Sequence, residues 1–420
     1  MRQLLRRTRI SRGWLLAAAA QGTASITNFA AAALALSSGD LVAFGRFSIA
    51  YQLGLVVISI GEASTGATAL IQGSRELPRA ERRSVAEGTA GAALVVGATM
   101  AVPIAIAGAI LGGPVGSSLL LVALGTPGLV SQYTLRGLRF ARHDQLGVLR
   151  ADGIWLAVML VVALVDGVTA WRGSPTAYLA VWLAGGTISA APLMLKGFLR
   201  GLRRLRTYWQ TTGPQAVRYG FAGLLSRSVF IVPLIATEVL VGTEATGVLA
   251  AAVVVFSPLS VVNTTAGAIV VPRQIRASGV HVVDKRIPLQ VIAGVSAITL
   301  GWAACLLALE ASGLPAGPFA LSANGITAAL FTATLVRFLG LAFWRGPTTG
   351  LMIADASADA LETRVVGTLA SWLAAIVGLQ LAGVDGGAIG LAVATWFGAW
   401  VAWRRYRALP RHLLRMANHR

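Results

Sequence analysis

The chain has 420 residues, of which 56% are hydrophobic and 12% charged, with a mean hydropathy of +0.73 and a formal net charge of +19. A soluble domain carries about 25% charged residues, so an ordinary soluble fold is excluded, and no stretch is polar enough to be a soluble domain between the apolar segments. A single cysteine, Cys305 inside an apolar run, excludes an internal disulfide and a thiolate metal site.

In chain order, the basic segment Arg2 to Arg12 leads into an apolar run to Leu36 that is too long for a cleavable signal and lacks a cleavage site, so it reads as a first span. Spans of about 20 apolar residues are predicted at 13–36, 47–70, 85–111, 117–137, 146–165, 176–199, 219–240, 246–271, 287–309, 331–354, 365–382 and 387–403. Hydropathy alone would set the tenth at 325–344.

Of the 35 Lys and Arg residues, all but Arg46, Arg172, Arg227, Arg337 and Arg345 fall in short clusters in alternate connections. Basic residues stay on the cytoplasmic side during insertion, so both termini are expected in the cytoplasm, with an even number of spans in a bacterial cytoplasmic membrane. The clusters sit against apolar segments and hold few aromatics to stack bases. Their expected partners are therefore anionic membrane lipids, not nucleic acid.

An internal repeat supports the later frame for the tenth span. An offset of 202 lays Gly45 over Gly247 and Gln72 over Gln274, and an offset of 213 lays Gly137 over Gly350 and Ala141 over Ala354. The expected fold is an all-α polytopic membrane protein of twelve transmembrane helices in two parallel six-helix bundles, 1–205 and 206–403, followed by a basic cytoplasmic tail, 404–420. Repeated bundles are a transporter layout with the substrate path at the midplane.

The four histidines fall in predicted cytoplasmic segments, and the longest external connection, around 310–330, holds one acid, Glu310. No metal site, cofactor site or nucleophile with base and orienting acid can be assembled, so an enzyme is not expected. Ionisable groups inside spans are costly and mark pathways or partners. Glu62 is expected central in the second span as an ion-coupling residue for H+ or Na+. Arg227, Arg337 and Arg345 are expected to line a substrate path. The plainer readings are a Glu62–Arg227 structural ion pair and an Arg337 that snorkels to the outer interface. Gln21, Ser25 and Asn28 recur at helical spacing on the first span, and Ser257, Ser260 and Thr264 on the eighth. These stripes are expected to line a cavity, the alternative being small packing residues that bond their own backbone.

Asn28, Ser37–Phe47 (SSGDLVAFGRF) with its Phe44–Gly45 pair before the second helix, and Glu62–Arg75 (EASTGATALIQGSR) resemble the polysaccharide exporters of the multidrug, oligosaccharidyl-lipid and polysaccharide (MOP) flippase superfamily. The motifs cover residues 1–80; beyond them the likeness is one of plan. The resemblance implies two bundles forming a V, with helices 1, 2, 7 and 8 lining a central cavity. It also implies a flippase that turns an undecaprenyl-diphosphate-linked oligosaccharide to the outer leaflet by alternating access for export of cell-surface polysaccharide, alongside polysaccharide-assembly proteins. Arg227, Arg345, Arg337, Gln21, Ser25, Asn28 and Thr264 are then the expected substrate-binding residues. Unlike some relatives, the first span carries no arginine. A cation-coupled multidrug exporter of the same superfamily and a non-transporting scaffold of an envelope assembly complex are the alternatives.

Overall fold

The structure is a computed structural model that describes residues 12–73, 78–169, 173–259, 283–284, 286–313, 317–354, 356–409 and 414–415. The chain is helical almost throughout. α1 (Arg12–Leu36) and α2 (Leu41–Gly61) are followed by a π turn (Glu62–Gly66) and α3 (Ala67–Gly73). Next come α4 (Arg79–Leu111), α5 (Gly113–Ala141), α6 (Gln145–Val168) and α7 (Pro175–Lys196). A second π turn (Gly197–Gly201) and a 3-10 turn (Leu202–Arg204) carry α7 into α8 (Leu205–Leu240). The remaining helices are α9 (Thr243–Phe256), α10 (Arg286–Ala311), α11 (Ala328–Ile353) and α12 (Ser357–Arg407). Among the described residues the only strands are a two-residue parallel pair, Val283–Asp284 with Leu414–Arg415.

Eight described helical stretches are long and apolar enough to cross a membrane, one of them 66 residues and another 50. They expose large apolar side chains such as Ile110, Leu124, Val168, Val239 and Leu381, far more than a water-soluble surface carries. The protein is therefore a multi-pass membrane protein.

The 51-residue α12 is two arms. Ala382 (φ −146°, ψ 29°) and Gly383 (φ +58°) leave helical geometry, and a Cβ on Gly387 would fall 2.7 Å from Leu379. The chain doubles back at Gly383, in a conformation that an L side chain resists. Predicted spans 365–382 and 387–403 correspond to these arms.

The repeat offsets reappear as helix boundaries. α2 starts at Leu41 and α9 at Thr243, 202 residues apart, while α6 and α12 start at Gln145 and Ser357, within one residue of the 213 offset. α11 occupies the later frame for the tenth span. Of the predicted eighth span, α9 covers 246–256; Ser260 and Thr264 lie outside the described residues.

Contacts divide the chain into two compact units, Met1–Ala35 with Ala50–Leu224, and Leu36–Ile49 with Leu225–Arg420. This division falls within the continuous α8, later than residue 205, because the segment from Gly201 packs Tyr208, Thr212 and Ala216 on one face. The first unit is built around Trp155, Tyr178 and Trp182. Trp155 Nε1 donates to the Trp182 carbonyl at 2.7 Å, and Trp182 Nε1 donates to Asn28 Oδ1 at 3.0 Å. Asp144 caps α6 by accepting from Gly147 N at 2.9 Å, and Ser174 caps α7.

The second unit packs Phe256 against Phe331 and Phe338, with ring centroids 5.3 and 5.5 Å apart. It also takes in the tip of the α1–α2 hairpin. Asp40 Oδ1 caps α2 through Ala43 N at 2.9 Å, and the repeat-related glycines meet there. A Cβ on Gly45 would lie 3.0 Å from Gly247 N, and one on Gly247 would collide with the Leu41 carbonyl. Gly247→Leu is therefore expected to cost roughly 3 kcal/mol or more through overpacking. Gly294→Ala, where a Cβ meets nothing within 4 Å, should be neutral or stabilising by up to about 1 kcal/mol. Thermal melting of the detergent-solubilised proteins distinguishes the two.

Candidate functional site

In the second unit the site is a set of cations on α11 and the start of the unit's α8 segment. α12 fixes that segment: Thr368 Oγ1 donates to the Leu225 carbonyl at 3.3 Å, and Trp372 Nε1 to the Ser228 carbonyl at 3.1 Å. Arg227, half-buried, lies between these anchors, and Phe230 lies one turn further along the same face. From α11 the Arg337 guanidinium stacks over the Phe230 ring at 4.6 Å.

Arg337 is 3% exposed, so it does not reach an interface by snorkelling. Its Nε and Nη2 are buried with no hydrogen-bond acceptor among the described residues. Eight residues along, about 12 Å by helix rise, Arg345 is half-buried with its Nε likewise unpartnered, and its charged neighbour is another cation, Arg364. Buried polar hydrogens are nearly always paired. A planar guanidinium fork can meet an anion with two parallel bonds.

In the first unit Glu62 opens the π turn at the end of α2 and is exposed. The Ala67 N–H bonds to the Glu62 carbonyl, the i→i+5 bond of a π turn. The turn is wedged on α5, where Thr65 and Thr134 share a 2.5 Å hydroxyl bond. The polar stripe of α1 is largely taken up inside this unit. Gln21 Oε1 accepts from Arg136 Nη2 at 2.8 Å, Asn28 holds Trp182, and the Asn28 carbonyl accepts from Tyr51 Oη at 2.7 Å; Ser25 is half-buried.

The feature that sequence reasoning missed is the core of this network. Arg136 on α5 donates through Nη1 to Asp152 Oδ2 on α6 at 2.7 Å and lies over the Tyr133 ring, while Asp152 Oδ1 accepts from Gln132 Nε2 at 3.0 Å. Hydropathy groups Arg136 with a cytoplasmic cluster, yet both charged residues are buried. Asp152 thus joins Glu62 as an acid inside a span. The signal available was Gln132 and Arg136 at i and i+4 on an apolar helix. Among the described residues no His, Cys, Asp and Glu grouping could hold a metal ion.

No family model and no curated protein matches the chain, but solved structures do. The lipid II flippase MurJ in an inward closed conformation aligns with a TM-score of 0.71 at 9% identity, covering 95% of this chain and 89% of that one. An inward-facing multidrug resistance MATE family transporter of the MOP superfamily aligns at 0.65 and 14% identity, covering 93% and 95%. A MOP superfamily transporter from Pyrococcus furiosus, whose reversed binding-pocket polarity suggests a different function, aligns at 0.58 and 15%, covering 96% and 99%. The fold is that of the MOP transporters. These solved structures are transporters and a flippase, not enzymes.

Proposed function

We propose that this chain is a flippase for a lipid-linked oligosaccharide on an undecaprenyl-diphosphate carrier, working by alternating access between two six-helix bundles of twelve spans in the cytoplasmic membrane. The observation that supports this most is Arg337, a buried guanidinium with two unpartnered nitrogens beside Phe230. A cation held in an apolar segment without an acceptor is costly, and an anionic substrate relieves that cost. With Arg345 next to Arg364, and with Arg227 one turn from Phe230, the second unit offers the charge that a diphosphate requires. Arg337 and Arg345 bind it, and Arg227 contributes to the path. A fold neighbour that is itself a flippase of a lipid-linked substrate, lipid II, is consistent with this reading.

The second reading is a cation-coupled multidrug exporter, favoured by the MATE neighbours and by an exposed Glu62 on a π turn. A deletion strain separates the two. The flippase reading expects surface polysaccharide to fall at least about tenfold, with its lipid-linked precursor accumulating on the cytoplasmic face and drug sensitivity unchanged. Intact polymer with raised drug sensitivity overturns it. In either case Glu62→Gln is expected to remove the dependence of transport on an imposed H+ or Na+ gradient, and a variant that keeps full gradient dependence excludes Glu62 as the coupling group.

A further inference from the structure

At one end of the first unit a single acid is surrounded by more cations than it neutralises. Glu87, near the start of α4 and 3% exposed, holds Arg83 Nε at 3.0 Å and Arg200 Nη1 at 3.8 Å on Oε1, and Arg204 Nε at 3.1 Å on Oε2. Arg204 Nη1 also donates to Ser84 Oγ at 2.5 Å. The side chains of Arg83, Arg200 and Arg204 are 63%, 58% and 49% exposed. Three positive charges against one negative leave a net charge of two, and Lys196, one turn before Arg200, adds to the field at Glu87.

The backbone builds this cluster deliberately. The π turn Gly197–Gly201 lies so close to α4 that a Cβ on Gly197 would fall 2.7 Å from the Ala90 carbonyl and one on Gly201 2.5 Å from Gly91 N. That approach brings Arg200 and Arg204 to Glu87. The same turn points large apolar side chains outward: Phe198 is 68% exposed, and Leu195, Leu199 and Leu202 are exposed beside it. Exposed guanidiniums alternating with exposed apolar side chains at the end of membrane-spanning helices suit a ligand with an anionic head and a hydrocarbon body. A soluble anion or an acidic protein segment leaves the apolar half unexplained.

We propose that Arg83, Arg200 and Arg204 form a binding site for an anionic phospholipid of the bilayer, with the phosphate on the guanidiniums and the acyl chains along Phe198, Leu199 and Leu202. The site is separate from the cations of the second unit and does not depend on which substrate is transported. Glu87 lowers the affinity by cancelling one of the three charges, while the close approach of the Gly197–Gly201 turn to α4 places the arginines.

The test is native mass spectrometry and thermal melting of the full-length protein with added phosphatidylglycerol, phosphatidylcholine of the same chains, or inorganic phosphate. Phosphatidylglycerol is expected to stay bound and to raise Tm, with neither effect from the other two. Arg83→Gln/Arg200→Gln is expected to lose roughly fivefold in affinity per arginine removed, and Glu87→Gln to gain about as much. Arg200→Gln alone, which removes only the exposed 3.8 Å pair, serves if the double variant does not fold. Equal retention of phosphatidylcholine, binding of phosphate alone, unchanged phosphatidylglycerol affinity in the arginine variants, or weaker binding in Glu87→Gln each overturns the proposal.

Discussion

Arg337→Met is expected to make the protein more stable and at the same time to abolish transport. Within the second unit this guanidinium is buried with two nitrogens that find no acceptor among the described residues, and it stacks on the face of Phe230 at 4.6 Å. A desolvated cation–π contact returns about 2 kcal/mol, whereas burying an ion costs several kcal/mol. Methionine keeps most of the length, fills the space with adaptable apolar atoms and can still lie against the ring. Replacing uncompensated charge by such a side chain should therefore stabilise the fold by about 1–4 kcal/mol, read as a rise in Tm. The loss of transport follows from the same open donors. Charge-assisted hydrogen bonds are worth about 1.5–3 kcal/mol each, so losing two of them to a diphosphate lowers transport by about 100-fold or more at 1.4 kcal/mol per decade. Arg337→Lys, which keeps the charge but not the fork, should fall between. The two halves of the prediction are separable. A Met variant that melts earlier shows that Arg337 has a structural partner, and a stable variant that still exports polymer removes it from the path.

The plan of this molecule was legible because insertion and helix formation are local. The positions of Arg and Gly along the chain carried the 202-residue spacing between α2 and α9, though not their starts, which fall six and three residues before the predicted spans, and they picked out the arginines that stand apart from the cytoplasmic clusters. What was not legible is tertiary. A hydropathy window averages Arg136 into its basic neighbours and cannot register that Asp152, on another helix, neutralises it. The π turn at Glu62 leaves no compositional mark, since it changes which carbonyl an N–H reaches and not which residues are present. Nor does charge show that α8 stays helical through the basic, polar segment from Arg206 to Arg218. There the signal was Tyr208, Thr212, Ala216 and Gly220 at intervals of four, a stripe that a window tuned to membrane spans overlooks. Gln21 and Asn28 are a related lesson: helical spacing places polar residues on one face, but only packing decides whether that face meets a cavity or the unit's own arginine and tryptophan.

Breaking the Arg136–Asp152 pair one residue at a time should be far more damaging than removing it whole. Asp152→Leu leaves a buried guanidinium with Gln21 as its only remaining acceptor among these partners, and Arg136→Met leaves a buried carboxylate with Gln132 as its remaining donor among them. Each single change is expected to cost about 3–5 kcal/mol, since the partner's charge stays in the interior uncompensated. Arg136→Met/Asp152→Leu removes both charges at similar volume and should recover most of that loss, giving a coupling energy well outside the additivity expected of independent sites. The exposed pair Arg405–Glu362 is the internal comparison. Glu362→Gln there should cost less than about 1 kcal/mol, because solvent screens the charge that remains. Melting curves for the four proteins of the cycle decide the matter: additive losses would show that the charges do not rely on each other. Transport by the double variant then assigns the pair its role. A stable, active double variant makes Arg136 and Asp152 a weld that joins α1, α5 and α6, whereas a stable, inactive one makes the pair part of the working cycle, its separation and re-formation accompanying each turnover.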